Sequence, residues 1–305
     1  MDEREWQTFL SVVDEGNITK AAEKLFISQP ALSYRIRQLE STIGHSLLLR
    51  TTDGIALTPQ GEIYYKYCKK MIRMKQALDD EMNSSSGKVQ GTLKIAASMN
   101  FADYELPALL KSFCEQYPDI HIQVKTAFSY QVVKMFNTGD CMIAFARGGH
   151  QVSGKSELLL NEPYCLVYKD LIEPKQLEYV PFIKYLTDSS VGNIIEHWCA
   201  ENFENPPYES MEVNSMSTCR HFVRAGLGWS ILTYMGLGSC RDRDIYVSPL
   251  RDKNGTMITR DTNMIYTEDS MKLVAVKTFI DYVRDYYKDK EVIDQSFFRE
   301  YKKDK

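Results

Sequence analysis

The run Asn17-Ile18-Thr19-Lys20-Ala21-Ala22-Glu23-Lys24-Leu25-Phe26-Ile27-Ser28-Gln29-Pro30-Ala31-Leu32-Ser33-Tyr34-Arg35-Ile36-Arg37-Gln38-Leu39-Glu40 reads as two short helices joined by a tight corner. Ser28 stands where an N-cap belongs, Pro30 falls in the first turn, and Ile27 can close a hydrophobic staple onto Leu32. Leu32, Ile36 and Leu39 recur at i, i+4 and i+7 as one apolar stripe, leaving Pro30, Ser33, Tyr34, Arg37 and Gln38 on the opposite face. On the first helix Ala21, Ala22 and Leu25 face the second and permit the close crossing of a helix-turn-helix. A polar outer face also serves solubility alone, so periodicity by itself is equally compatible with a small helical domain that reads nothing.

The flanks weigh against that bland reading. Upstream, Trp6, Phe9, Leu10 and Val13 make an amphipathic helix over residues 3–15 that can roof the pair, and Gly16 ends it. Downstream, Ser46 to Thr52 and Ile55 to Thr58 flank Asp53-Gly54, a hairpin signal that predicts a wing. Arg50, Thr51 and Thr52 on that wing can lie along a phosphate backbone. Thr58 caps a further helix with Pro59 at its first position, and no breaker follows Gly61 until Gly87. Tyr64, Tyr67, Met71, Met74, Leu78 and, one place out of register, Met82 repeat at near-heptad spacing along it. Over about 40 Å such a helix can pair with a copy of itself, the competing account being an intramolecular core helix. Asn83-Ser84-Ser85-Ser86-Gly87 then reads as a polar linker.

The run from Ala21-Ala22-Glu23-Lys24-Leu25 through Ser28-Gln29-Pro30-Ala31-Leu32-Ser33 to Ile36-Arg37-Gln38-Leu39-Glu40, followed by Gly44, Leu47, Leu48, Arg50 and Leu57-Thr58-Pro59-Gln60-Gly61, resembles the N-terminal domain of LysR-type transcriptional regulators. Tyr34 stands where many members carry Arg. The resemblance implies a winged helix-turn-helix that touches DNA through Gln29, Pro30, Ser33, Tyr34, Arg37, Arg50, Thr51 and Thr58. It also implies a dimerising linker helix and assembly of dimers into a tetramer.

Charge agrees with DNA contact by one part only. The 305-residue chain has a net charge of −4, yet residues 17–75 hold ten basic side chains against four acidic ones, so the remainder carries −10. With 44% hydrophobic residues it can bury a sizeable core. No signal peptide opens it and no run reaches the eighteen apolar residues of a membrane span, which makes the cytoplasm the expected location and a membrane partner unexpected. The seven cysteines, at 68, 114, 141, 165, 199, 219 and 240, form no Cys-x-x-Cys pair and fit a reducing compartment as buried small hydrophobes. A redox pair such as Cys199 with Cys219 is the alternative.

From Gly91 the pattern alternates. Strands are expected at Thr92–Ala97, Ile120–Ala127 and Met142–Ala146, with helices at Tyr104–Tyr117 and Tyr130–Asn137 between them. A second such unit follows: Pro163–Tyr168, Val180–Tyr185, a helix near Val191–Asn202, Tyr208–Val213, a helix Ser217–Ala225, Trp229–Leu232, and a return segment near Asn263–Tyr266. With Gly139, Ala144, Asn214-Ser215 and Ala225-Gly226-Leu227-Gly228, these units resemble the two-lobed effector domain of the same regulators, akin to periplasmic binding proteins. Met142 stands where the family commonly has Asp.

The expected fold class is therefore multidomain, α+β and α/β. It comprises a winged helix-turn-helix over 1–58, a linker helix over 59–86, and a two-lobed α/β effector domain over 87–305. Lobe I covers about 87–161 and 267–305, lobe II about 162–266.

Ligands of open α/β sheets bind beyond the carboxyl ends of strands, near helix N-termini. That rule selects Ser98, Met99, Asn100, Ser129, Arg147, Thr187, Asn214 and Ser215, with Phe128, Tyr130 and Met216 beside them, as the walls of one cleft. Hydroxyls, amides and a guanidinium suit a small organic acid or amino-acid-like effector, although Ser129 and Ser215 also suit ordinary helix caps. Enzyme signatures are missing: there is no Gly-x-Ser-x-Gly, no His-Glu-x-x-His and no phosphate loop, and Gly226-Leu227-Gly228 lacks the third glycine of a dinucleotide site. The five histidines show no metal spacing, and no cofactor is expected. An enzyme of the binding-protein fold fused to a DNA-binding head is the alternative. Expected partners are double-stranded operator DNA, the effector, a second copy of the chain in a homodimer or homotetramer, and RNA polymerase. Residues 288–305 are left open between a docking helix and a tail.

Overall fold

The computed structural model describes residues 2–51, 54–83, 89–170, 172–238, 245–290 and 298, in two compact units divided near residue 88. In the N-terminal unit Asp2 opens α1 (Glu3–Glu15) through a capping box with Glu5, and Gly16 closes it in the left-handed conformation. Asn17 caps α2 (Ile18–Lys24), and Ser28 caps α3 (Gln29–Ile43) by accepting a hydrogen bond from the Ala31 N–H. Strands β1 (Leu48–Thr51) and β2 (Gly54–Leu57) pair as the wing, and α4 (Pro59–Asn83) follows.

Phe9, Val12, Ala21, Ala22, Leu32, Ile36, Leu39, Leu47, Tyr64 and Cys68 form the core of this unit. The stripe expected on α3 is thus the buried one. On α1 the deepest positions are Phe9 and Val12, with Trp6, Leu10 and Val13 half-buried around them. Tyr64, expected in the pairing seam of α4, instead packs edge-on to Phe9 with ring centroids 5.0 Å apart. Beyond that turn Tyr67, Met74, Leu78 and Met82 are exposed, as is Ile63. The Ser84–Gly87 part of the expected linker lies outside the described residues, as do Thr52 and Asp53 at the wing tip.

In the C-terminal unit β3 (Gly91–Ser98) lies between parallel neighbours β4 (Ile120–Ala127) and β5 (Ile143–Arg147). Here α7 (Ser129–Asn137) links β4 to β5, as βαβ logic requires. The helix expected over Tyr104–Tyr117 is α6 (Leu106–Gln116), and a separate short helix, α5 (Met99–Tyr104), stands before it where none was expected. Pro107 in the first turn of α6 has no N–H with which to continue a helix from before it. The long strand β6 (Lys155–Tyr168) begins in this first lobe and ends in the second, pairing antiparallel with β9 (Ser230–Thr233) and β10 (Tyr246–Pro249). Only its second half was legible, because Lys155–Glu162 alternates polar and apolar weakly.

The second lobe adds the parallel pair β7 (Phe182–Tyr185) and β8 (Glu209–Val213), with a parallel bridge from Phe182 to Trp229. Its helices are α8 (Ser189–Asn202) and α9 (Met216–Arg224). The return strand β11 (Thr259–Tyr266), grouped with the second lobe at the level of sequence, hydrogen-bonds β5 over Thr262–Tyr266 and so belongs to the first lobe's sheet. It enters antiparallel, so the sheet is mixed. Helix α10 (Val274–Lys288) then seats Phe279 edge-on to Phe113 of α6, 4.8 Å between centroids. Beyond residue 290 only Phe298 is described, 5.9 Å from the Tyr234 ring of the second lobe, and the remainder of the 288–305 question lies outside the described residues.

Candidate nucleic-acid interface and inter-lobe cleft

Along α3 the side chains of Gln29, Pro30, Tyr34, Arg35, Arg37 and Gln38 are exposed, and Tyr34 is 59% exposed. Ser33 is not: it is 9% exposed, at the edge of the apolar stripe where a small side chain is easily covered. Its hydroxyl accepts from Gln29 Nε2 at 2.9 Å, and its carbonyl accepts from Arg37 Nε at 3.3 Å. Expected to touch DNA, Ser33 is instead covered and serves as a hydrogen-bond acceptor for Gln29 and Arg37. On the wing Arg50 and Thr51 are exposed, and Thr51 Oγ1 donates to Gly54 O at 3.2 Å.

Thr58, expected to contact DNA, is 7% exposed and both sides of its hydroxyl are occupied: it donates to Ser46 O at 2.8 Å and accepts from Gly61 N at 2.9 Å. The cap it was expected to form uses it up. Glu40 is a further structural carboxylate. Its Oε1 accepts from the N–H groups of Leu47 and Leu48 at 2.8 and 3.2 Å, fixing the path from α3 into the wing.

The eight positions expected at the cleft all line one cavity of about 80 Å3 between the lobes of the C-terminal unit. Their roles differ. Ser129 Oγ accepts from Arg147 N at 3.2 Å, and Ser215 caps α9 by accepting from Thr218 N at 3.1 Å. Ser98 is 4% exposed and its hydroxyl has no partner. Met99, Asn100, Thr187 and Asn214 complete the wall.

Arg147, 2% exposed, is already paired: its Nη2 meets the carboxylate of Glu162 and donates to Thr233 Oγ1 at 3.0 Å. Glu162 also accepts from the Met235 N–H. Burial, then the neighbouring Arg260 guanidinium, pushes the Arg147 pKa down, and Tyr164, Tyr185 and the Asp188 carboxylate oppose that.

Sequence reasoning missed Arg260, Asp188 and Tyr185 on the same walls. Arg260 is 6% exposed. It donates to Tyr164 OH at 3.1 Å, to Arg147 O at 3.2 Å and to Asp188 Oδ2 at 3.1 Å. Asp188 occupies the N-cap of α8 yet makes no capping bond, because its carboxylate is turned to Arg260, and its Oδ1 has no partner. The Tyr185 hydroxyl and the Nε atoms of Arg147 and Arg260 also lack partners. Burial pushes the Tyr185 phenol up, so it stays a neutral donor. An Asp-Ser-Ser sequence at 188–190 carried a cap signal that pointed to Asp188; nothing local pointed to Arg260.

The described cysteines are free thiols, with Cys199 and Cys219 in separate core clusters, so the alternative pairing of these two is not formed. Burial pushes Cys219 up to about 11 and Cys199 to about 12, which keeps both protonated. Cys240 lies outside the described residues. No described helix is long and apolar enough to cross a membrane, and no metal-ligating cluster occurs among the described residues.

Comparison with known proteins follows the same division. Residues 4–62 match the family model "Bacterial regulatory helix-turn-helix protein, lysR family", and residues 86–288 match "LysR substrate binding domain". The uncharacterized HTH-type transcriptional regulator YraN of Bacillus subtilis (strain 168) is 36% identical over 285 residues, 93% of this chain and 98% of that one. Two solved structures share the fold at low identity. Full-length OxyR C199D from Pseudomonas aeruginosa has a TM-score of 0.68 at 20% identity, covering 93% of this chain and 95% of that one. Full-length CbnR in complex with its target DNA has a TM-score of 0.59 at 19% identity, covering 93% and 99%. The chain belongs to the LysR family of DNA-binding transcriptional regulators, with an N-terminal helix-turn-helix and a C-terminal effector-binding domain, and is not an enzyme.

Proposed function

We propose that Gln29, Pro30, Tyr34 and Arg37 read base edges in the major groove while Arg50 and Thr51 hold phosphate, and that the effector is a small organic anion. The DNA part rests on one observation: the exposed face of α3 carries donors and a guanidinium, and its apolar face is fully buried. The exposed seam Tyr67, Met74, Leu78 and Met82 on α4 supports pairing of two chains, which puts two recognition helices on one operator. Dimers then associate as a tetramer and meet RNA polymerase at a promoter in the cytoplasm. Functionally the chain divides at 58 and 86 into DNA-binding, linking and effector-binding parts.

Nuclease footprinting on the DNA upstream of the gene, across a salt series, tests this. The expected result is protection of half-sites about one helical turn apart, weakening steeply with salt. Failure to protect that fragment and the flanking promoters at low salt refutes it.

For the effector, Ser98, Tyr185, Arg147 and Arg260, each with a buried donor that lacks a partner, line one cavity together with two carboxylates, the exposed Asp103 and Asp188, whose buried Oδ1 also lacks a partner. Asp188 pairs with the guanidinium of Arg260, and an effector carboxylate that takes this place releases Asp188 to cap α8. Closing the lobes around it shifts the balance between assemblies and so the bending of DNA. Calorimetric titration with a panel of two- to six-carbon carboxylates gives opposite signs for two substitutions. Asp188→Asn removes the internal competitor and tightens binding about fivefold or more; Arg260→Gln weakens it about tenfold or more. Weaker binding by Asp188→Asn would mean that Asp188 holds the ligand itself, and would reject the anion.

A further inference from the structure

The corner that joins α2 to α3 contains the one non-glycine residue with positive φ among the described residues, Phe26 at φ 54. The Phe26 N–H donates to Glu23 O at 3.1 Å and the Ile27 N–H donates to Ala22 O at 3.0 Å. Together these are the two bonds of a Schellman ending, in which the residue carrying the left-handed conformation is ordinarily glycine or asparagine. A Cβ at that position opposes the conformation, and a bulky side chain has no local hydrogen bond with which to offset it.

Packing does not compensate. Phe26 is 94% exposed, whereas the next residue, Ile27, supplies the apolar contact of the motif by packing against the core. A single exposed apolar side chain is ordinary on a protein surface. Here it coincides with a left-handed backbone position that disfavours this side chain, and no burial offsets that cost.

The ring stands two residues before the N-cap Ser28 and three before Gln29, where the recognition helix begins. The N-terminal end of such a helix enters the major groove. The apolar surfaces at the rim of that groove are deoxyribose and the thymine methyl group. We propose that Phe26 is a DNA-contact residue, an apolar wedge against the groove rim whose ring adds affinity that no charge supplies. The proposal depends on the DNA-binding face of α3 and not on the effector reading.

The test uses the full-length protein and a duplex enriched from a randomised pool by the wild-type protein, with binding followed by fluorescence anisotropy across a salt series. Phe26→Asn retains a residue that tolerates left-handed backbone. Its melting temperature is expected to equal or exceed that of the wild type, while operator affinity falls about fivefold to tenfold with the salt slope unchanged, since an apolar contact releases no counterion. Arg50→Ala, run alongside, lowers the slope by about one. Phe26→Trp keeps a ring and is expected to keep most of the affinity.

Replacing each thymine in turn with uracil finds the contact. A position that weakens the wild type but not Phe26→Asn places the ring on a methyl group; no such position, with the loss of affinity retained, places it on sugar. Equal affinity of Phe26→Asn and wild type overturns the proposal. So does a loss of affinity that tracks a change of assembly state in light scattering, which would make Phe26 a contact between copies of the chain.

Discussion

Gly61→Ala is expected to abolish DNA binding while the C-terminal unit stays folded. Gly61 lies in the first turn of α4 with no unusual φ, so its absence of a side chain answers to a neighbour and not to backbone freedom. A Cβ there would come within 2.0 Å of the Leu47 carbonyl oxygen and 3.0 Å of Leu57 Cδ2. The Leu47 oxygen is a backbone atom held from both sides: it accepts from Thr58 N at 3.0 Å, and its own N–H is bound by Glu40. Making room means pulling α4 off the start of the wing. That breaks the Thr58 hydrogen bonds to Ser46 and Gly61 and uncovers Leu47, which is 1% exposed. The cost is about 3 kcal/mol or more, at the upper end of overpacking effects. Limited proteolysis releasing an intact C-terminal unit, together with loss of the electrophoretic shift, is the expected outcome. A variant that melts and binds like the wild type would show that α4 and the wing are not so closely packed.

The second large effect is on the effector-binding unit. Glu162→Gln leaves the Arg147 guanidinium, buried to 2% exposure, without its counter-charge while one acceptor for the Met235 N–H remains. Breaking one side of a buried pair costs about 3–5 kcal/mol, which for a unit of this size lowers the melting temperature by roughly 10 °C. The double substitution Arg147→Met with Glu162→Met exchanges the pair for apolar side chains and is expected to recover more than half of that loss. Differential scanning calorimetry of the three variants decides it. If Glu162→Gln melts within about 2 °C of the wild type, the charges at the cleft floor are not supporting one another.

The recognition helix was legible because its signals are local: a serine cap, an early proline and a stripe of three apolar residues all lie within twelve positions. What periodicity could not give is which residues beside the stripe end up covered. Ser33 is small and sits at the stripe's edge, so neighbours close over it; Thr58 was legible as a cap, and capping consumes the hydroxyl that a phosphate contact would need. In the effector-binding domain the eight cleft positions followed from a topological rule about strand ends, and the residues that end or follow β3, β4 and β5 line one cavity. Arg260 escaped it. It comes from β11, an antiparallel strand that returns from a distant part of the chain, and it acquires its role by standing beside Asp188, 72 residues away. Helix α5 was not legible because Met99–Tyr104 is too short to show a helical period.

Strand β6 passes without interruption from one lobe's sheet into the other's, about 46 Å of extended chain. Its pairing with β11 shifts between Thr262, opposite Leu160, and Asn263, opposite Leu158, so Leu159 is an extra residue in the ladder. A bulge concentrates twist and bend at one point of an otherwise stiff ribbon. In mechanical terms β6 is a torsion bar with a pivot at Leu159, three residues from Glu162 and its contact with Arg147. Rotation of one lobe delivers torque to the other through covalent bonds, beside the side-chain contacts of Arg147 with Thr233 and Arg260 with Asp188. Deleting Leu159 would straighten the bar while leaving Leu158 opposite Asn263 and Leu160 opposite Thr262, so the pivot would be lost without a change of register.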